Sequence, residues 1–136
     1  MFHHRIETEI QIDATPERVW AILVDFPAYP EWNPFIRSIQ GIPEPGVRLV
    51  AHIQPGGTKG MTFRPIVLAA DEARELRWRG RLLFQGLFDG AHRFIIQPLA
   101  DGKVLFRHSE EFSGVLVPFF RSSLDRGTKK GFEEMN

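Results

Sequence analysis

Ile10-Gln11-Ile12-Asp13-Ala14-Thr15-Pro16-Glu17-Arg18-Val19-Trp20-Ala21-Ile22-Leu23 changes its hydrophobic period at Asp13-Ala14-Thr15-Pro16. Upstream, Phe2, Ile6, Ile10 and Ile12 share one parity, while Arg5, Glu7, Glu9 and Gln11 take the other. Period two describes a half-buried strand. Downstream, Val19, Trp20, Ile22 and Leu23 recur at helical spacing. Thr15 supplies a cap, Pro16 suits the first helical position, and Glu17 favours the positive helix end. Pro27 ends that helix.

The next stretch, Asp25-Phe26-Pro27-Ala28-Tyr29-Pro30-Glu31-Trp32-Asn33-Pro34-Phe35, holds three prolines and four aromatic rings. It reads as a short second helix wrapped in turns. Strand patterns follow at 35–41, 47–54, 61–70, 75–84, 91–99 and 103–113, which with the first strand makes seven. Gln85-Gly86-Leu87-Phe88-Asp89-Gly90 reads as a break, and Asp101-Gly102 as a tight hairpin turn. Leu116, Phe119, Phe120, Leu124, Gly127 and Phe132 then fall near helical spacing, with Arg121, Asp125, Arg126, Lys129 and Lys130 outside them. Gly127 and Gly131 weaken this helix by about 1 kcal/mol each relative to Ala. Runs of neighbouring strands favour antiparallel hairpins. The expectation is an α+β fold in one domain, 1–136. A seven-stranded curved antiparallel sheet wraps a long C-terminal helix, with two short helices after the first strand.

Composition narrows the function. The 136 residues contain no cysteine, which removes disulfides and thiolate metal sites. Lys plus Arg and Asp plus Glu are both 17, so no basic excess points to nucleic acid. No apolar run reaches signal-peptide or membrane-spanning length, so a cytoplasmic chain without stable membrane insertion is expected. Twelve Phe and three Trp stand against one Tyr. Such rings either fill a core or line a pocket.

The order of elements, with residues Ile10 to Leu23 and Asp25 to Phe35 as quoted and Phe112-Ser113-Gly114 before a helix, resembles the START-like (SRPBCC) superfamily. That group includes polyketide cyclases and aromatases, birch-pollen-allergen-like proteins and steroidogenic lipid-transfer domains. The resemblance covers essentially the whole chain. It implies a helix-grip fold with a hydrophobic pocket between sheet and C-terminal helix. Lipids, sterols, polyketides and plant hormones are the ligand classes of that superfamily. Phe26, Trp32, Phe63, Trp78 and Phe84 are expected to line the pocket. So are Phe94, Phe106, Phe112, Phe120 and Leu124.

Strand parity places a polar spot among these rings. Val104, Phe106, His108, Glu110 and Phe112 share the inner face of the last strand, and His92 shares the parity of Phe94 and Ile96. Counting back from the Asp101-Gly102 turn puts His92 opposite the 110–113 region, where it can neighbour Glu110. An inward carboxylate is costly unless paired, so a charge-assisted His-Glu pair is expected. His92, His108 and Glu110 are candidate catalytic residues for acid-base work on an enolisable substrate. Ligand orientation without chemistry, or a purely structural cluster, are the alternatives. His3-His4 reads as an exposed terminal pair, and His52 is ambiguous. No metal-ligand spacing, nucleophile elbow, phosphate loop or dinucleotide fingerprint is present, so neither metal nor cofactor is expected. Arg77, Arg79 and Arg81 read as a solvated outer stripe. Three functions stay open: a non-catalytic carrier or sensor of a hydrophobic small molecule, a polyketide cyclase/aromatase-like enzyme, and an interaction or regulatory module presenting 115–120. A monomer or weak homodimer is expected.

Overall fold

The computed structural model describes residues 3–54, 61–81, 89–114, 133 and 135. Strand β1, His3–Ile12, leads into helix α1, Pro16–Leu23. Thr15 caps α1 by accepting from the Arg18 amide at 3.2 Å, and Pro16 stands at the helix start, as the sequence indicated. A single 3-10 turn, Phe26–Ala28, and helix α2, Tyr29–Trp32, follow. The helical region is therefore three short pieces rather than two, because Pro27 and Pro30 each interrupt the amide ladder.

Eight strands are described, in two antiparallel sheets. The first sheet runs β1-β8-β7-β6-β5 and the second β2-β3-β4. Strands β2, Ile36–Gln40, and β3, Val50–Ile53, match two expected runs. The expected strand at 61–70 is two strands, β4, Met61–Phe63, and β5, Ile66–Asp71. Pro65 separates them because it offers no amide hydrogen to a ladder. Its carbonyl instead accepts from the Leu49 amide at 2.7 Å, and a bridge at Arg48–Ile66 links the two sheets. The single seven-stranded sheet of the sequence reading is thus corrected to five plus three.

Strands β6, Glu75–Arg81, β7, Asp89–Pro98, and β8, Val104–Ser113, complete the first sheet. Gly90 belongs to β7 and is not a break, which corrects its assignment to the preceding loop. Gly102 takes φ +80° in the β7–β8 hairpin, where its amide donates to the Leu99 carbonyl. The core gathers Phe26, Tyr29, Phe35, Leu49, Leu76, Trp78 and Phe94 with their aliphatic neighbours. Glu133 and Met135 are helical, and Met135 is buried with that core. The helix expected over 116–132 lies outside the described residues.

Candidate functional site

The β7–β8 register decides what meets on the inner face. Val104 pairs with Pro98, and counting along the ladder sets His92 opposite Glu110 and Phe94 opposite His108. On the other side of β8, His108 faces Thr8 and Glu110 faces Ile6 of β1. On β6, Trp78 lies opposite His92. Period two then turns Trp78, His92, Phe94, Phe106, His108 and Glu110 toward one side.

His92 and His108 are fully buried, and their Nε2 atoms are in hydrogen-bond contact. Glu110 retains 15% side-chain exposure, and its Oε1 stands 3.5 Å from His92 Nδ1. Aromatic rings enclose the histidines. Phe94 lies 4.6 Å from both imidazoles, centroid to centroid, and Trp78 lies 5.2 Å from His92. Phe106 sits at the edge of the group, 6.3 Å from His108.

This enclosure removes charge. Burial, then the neighbouring His108, pushes His92 well below the ordinary imidazole range. Burial pushes Glu110 up to about 8. At neutral pH both are uncharged, which corrects the expected charge-assisted pair. Desolvation outweighs mutual attraction because an Nδ1–Oε1 distance of 3.5 Å is too long for a strong hydrogen bond. Neutral imidazole has one N–H and one acceptor nitrogen. Only one of the two facing Nε2 atoms can carry a proton. Neutral Glu110 and His92, with His108 in contact through Nε2, form a polar group that can present a proton or accept one.

Gly90 makes room for the acid. A β-carbon on Gly90 would come 3.4 Å from Glu110 Cδ, closer still to Oε2, and 3.8 Å from Phe112. A glycine inside a strand pattern signals such close approach. The sequence reading also missed Phe35, whose ring lies 6.5 Å from His92 and 6.3 Å from His108. Asn33 aims it: the fully buried Asn33 accepts from the Phe35 and Ile36 amides at 3.0 and 2.9 Å. Thr8 is buried beside this group, and its parity with Ile6 and Ile10 was the available signal. His4 shares that parity and is half-buried opposite Phe112, which corrects its reading as an exposed terminal residue.

The remaining candidates divide. Phe112 is buried on the same face as Glu110. Phe26 and Trp32 form a separate ring group around Tyr29, at 5.6 and 5.2 Å. Tyr29 is fully buried, its hydroxyl donates to the Leu23 carbonyl, and burial raises its pKa. Trp32 is 37% exposed. Phe63 is half-buried on the second sheet, opposite Ala51. Phe84, Phe120 and Leu124 lie outside the described residues. His52 stands on the second sheet, 3.4 Å from the Thr62 hydroxyl, away from the other histidines. Among the described residues, no three His, Asp or Glu side chains are grouped to hold a metal ion. None of the described helices is long and apolar enough to cross a membrane.

Two linked antiparallel sheets with short helices after the first strand, and a polar group set among rings on the inner face, define a START-like protein. The chain belongs to the family described as polyketide cyclase / dehydrase and lipid transport, whose family model matches residues 3–135. Solved structures agree on the fold. The Zhui aromatase/cyclase from Streptomyces sp. R1128 superposes with a TM-score of 0.76 at 15% identity, over 98% of this chain and 88% of that one. A START superfamily protein from Mycobacterium smegmatis gives 0.68 at 21% identity, over 96% and 94%. Norcoclaurine synthase from Thalictrum flavum, in complex with dopamine and hydroxybenzaldehyde, gives 0.72 at 13% identity, over 98% and 82%. No curated protein matches the chain by sequence.

Proposed function

We propose that this chain binds an uncharged hydrophobic small molecule against the inner face of the five-stranded sheet. His92, His108 and Glu110 give that ligand its hydrogen bonds. The carrying observation is the grouping of Glu110, His92 and His108 among Trp78, Phe94 and Phe106. A neutral donor-acceptor set in an apolar wall orients a carbonyl or hydroxyl without demanding a charged partner. The family description, polyketide cyclase / dehydrase and lipid transport, supports a hydrophobic ligand, and the similar norcoclaurine synthase is in complex with dopamine and hydroxybenzaldehyde. Native mass spectrometry of freshly purified protein tests this. A co-purified small molecule, or saturable binding of a fluorescent hydrophobic probe weakened by His108→Ala, is the expected result. No bound mass and no saturable probe binding would remove the reading.

The second reading is acid-base catalysis of the cyclase kind, with the same residues. Glu110, held protonated at neutral pH, favours it, because a general acid must keep its proton until the reaction needs it. A ligand recovered unchanged after long incubation with the protein favours the carrier. Conversion lost in Glu110→Gln favours the enzyme.

A further inference from the structure

The opposite face of the same sheet carries a cleft. Arg5 on β1, Arg93 on β7, and Arg77 and Arg79 on β6 line a cleft of about 200 Å³, with Leu68 and Ala91 as its apolar surface. The register puts Arg77 directly opposite Arg93, an unfavourable like-charge pair. One carboxylate serves both. Glu75 binds the Arg93 Nε at 2.7 Å, while the Arg77 Nε lies 3.6 Å away, buried and without a hydrogen bond among the described residues. Arg79 has no ion-pair partner among the described residues. Arg5 is held by Glu7 at 2.5 Å, and Glu111, which lines the cleft directly opposite Arg5, reaches His3 at 3.5 Å. Four guanidinium groups thus meet three carboxylates, Glu7, Glu75 and Glu111, which leaves one positive charge and several unused N–H donors.

We propose that this outer cleft binds a small oxyanion head group, a phosphate or carboxylate, on an apolar body. The planar forks of Arg77 and Arg79 recognise the oxygens, as guanidinium groups do wherever two parallel N–H bonds can form. The exposed Leu68 and the half-buried Ala91 meet the apolar part. A single excess charge suits an anion of one or two charges and is too small for nucleic acid. The cleft lies on the other side of the sheet from His92 and does not depend on the inner-face reading.

The test titrates the full chain with phenyl phosphate, and separately with vesicles of phosphatidic acid in phosphatidylcholine, following the backbone amides of Arg79, Ala91 and Ser109 by NMR. Saturable binding of phenyl phosphate, or of the acidic vesicles alone, is expected; these outcomes assign the head group to a free ester or to a lipid. Arg79→Ala, at an exposed position, should weaken that binding at least fivefold. Arg107→Ala removes the same charge from the same face outside the cleft and should change it less than twofold. Binding of neither probe, or equal losses in the two variants, overturns the site.

Discussion

The two faces of strands β7 and β8 differ by one residue step and by what surrounds their ionisable groups. Inward, His92 and Glu110 are pressed among rings and lose their charges. Outward, Arg93 forms an ion pair with Glu75 of β6 at 2.7 Å, and Arg107 with Glu9 of β1 at 3.2 Å. The same backbone ladder supplies both faces. What changes is access to water: the Arg93 and Arg107 side chains are about two-fifths exposed, while His92 is sealed. Desolvation costs more than a partner at 3.5 Å returns, whereas a solvated pair costs little to keep charged. Chemistry at this sheet is thus set by which way a side chain points.

The largest effect should come from the ring that seals the inner face. Phe94 is fully buried against both imidazoles, so Phe94→Ala should cost about 3–5 kcal/mol in denaturant unfolding. Gly90→Ala should come next, at about 1–3 kcal/mol, because its methyl group meets the Glu110 carboxyl. Adding Glu110→Ala should recover most of that loss; no recovery would show that the glycine serves another purpose.

The pH response separates the faces further. The folded Glu110 holds its proton up to about pH 8, whereas the unfolded chain releases it near 4.5. Stability from this group is full below 4.5 and is lost as pH rises toward 8. His92 acts oppositely, since its folded pKa is depressed: its contribution is present above 6.5 and lost as pH falls below that. The two trends oppose each other between 4.5 and 6.5, and Glu110 alone remains from 6.5 to 8. Over that window the protein should lose about 1–2 kcal/mol, and Glu110→Gln should abolish the loss. A flat wild-type profile would erase the distinction between the faces. The smallest effect belongs outside: Arg107→Ala should cost about 1 kcal/mol or less, and less still in high salt.

Much of this was legible in the chain. Thr15-Pro16-Glu17 located α1, and alternation on β8 put His108 and Glu110 inside. The Asp101-Gly102 turn carried the register close enough to pair His92 with Glu110. Two kinds of information were not. Parity says where a group points but not how dry that place is, so the direction of the His92 and Glu110 pKa shifts was misread. Single residues that act on backbone or space were also hidden in their runs: Pro65 splitting one strand into two, Gly90 leaving room for a carboxyl, and Asn33 fixing Phe35 through two amides. The ring group around Tyr29 was visible as composition, but its separation from the histidines depends on how the 3-10 turn and α2 pack.

The central claim is that Glu110 in the inner polar group is neutral at physiological pH. An NMR titration of the side-chain carboxyl carbon of Glu110, assigned through Glu110→Gln, tests it directly. The predicted midpoint is about 8, with the acid protonated at pH 7. A midpoint near 4.5, with Glu110 already ionised at pH 6, would contradict the account.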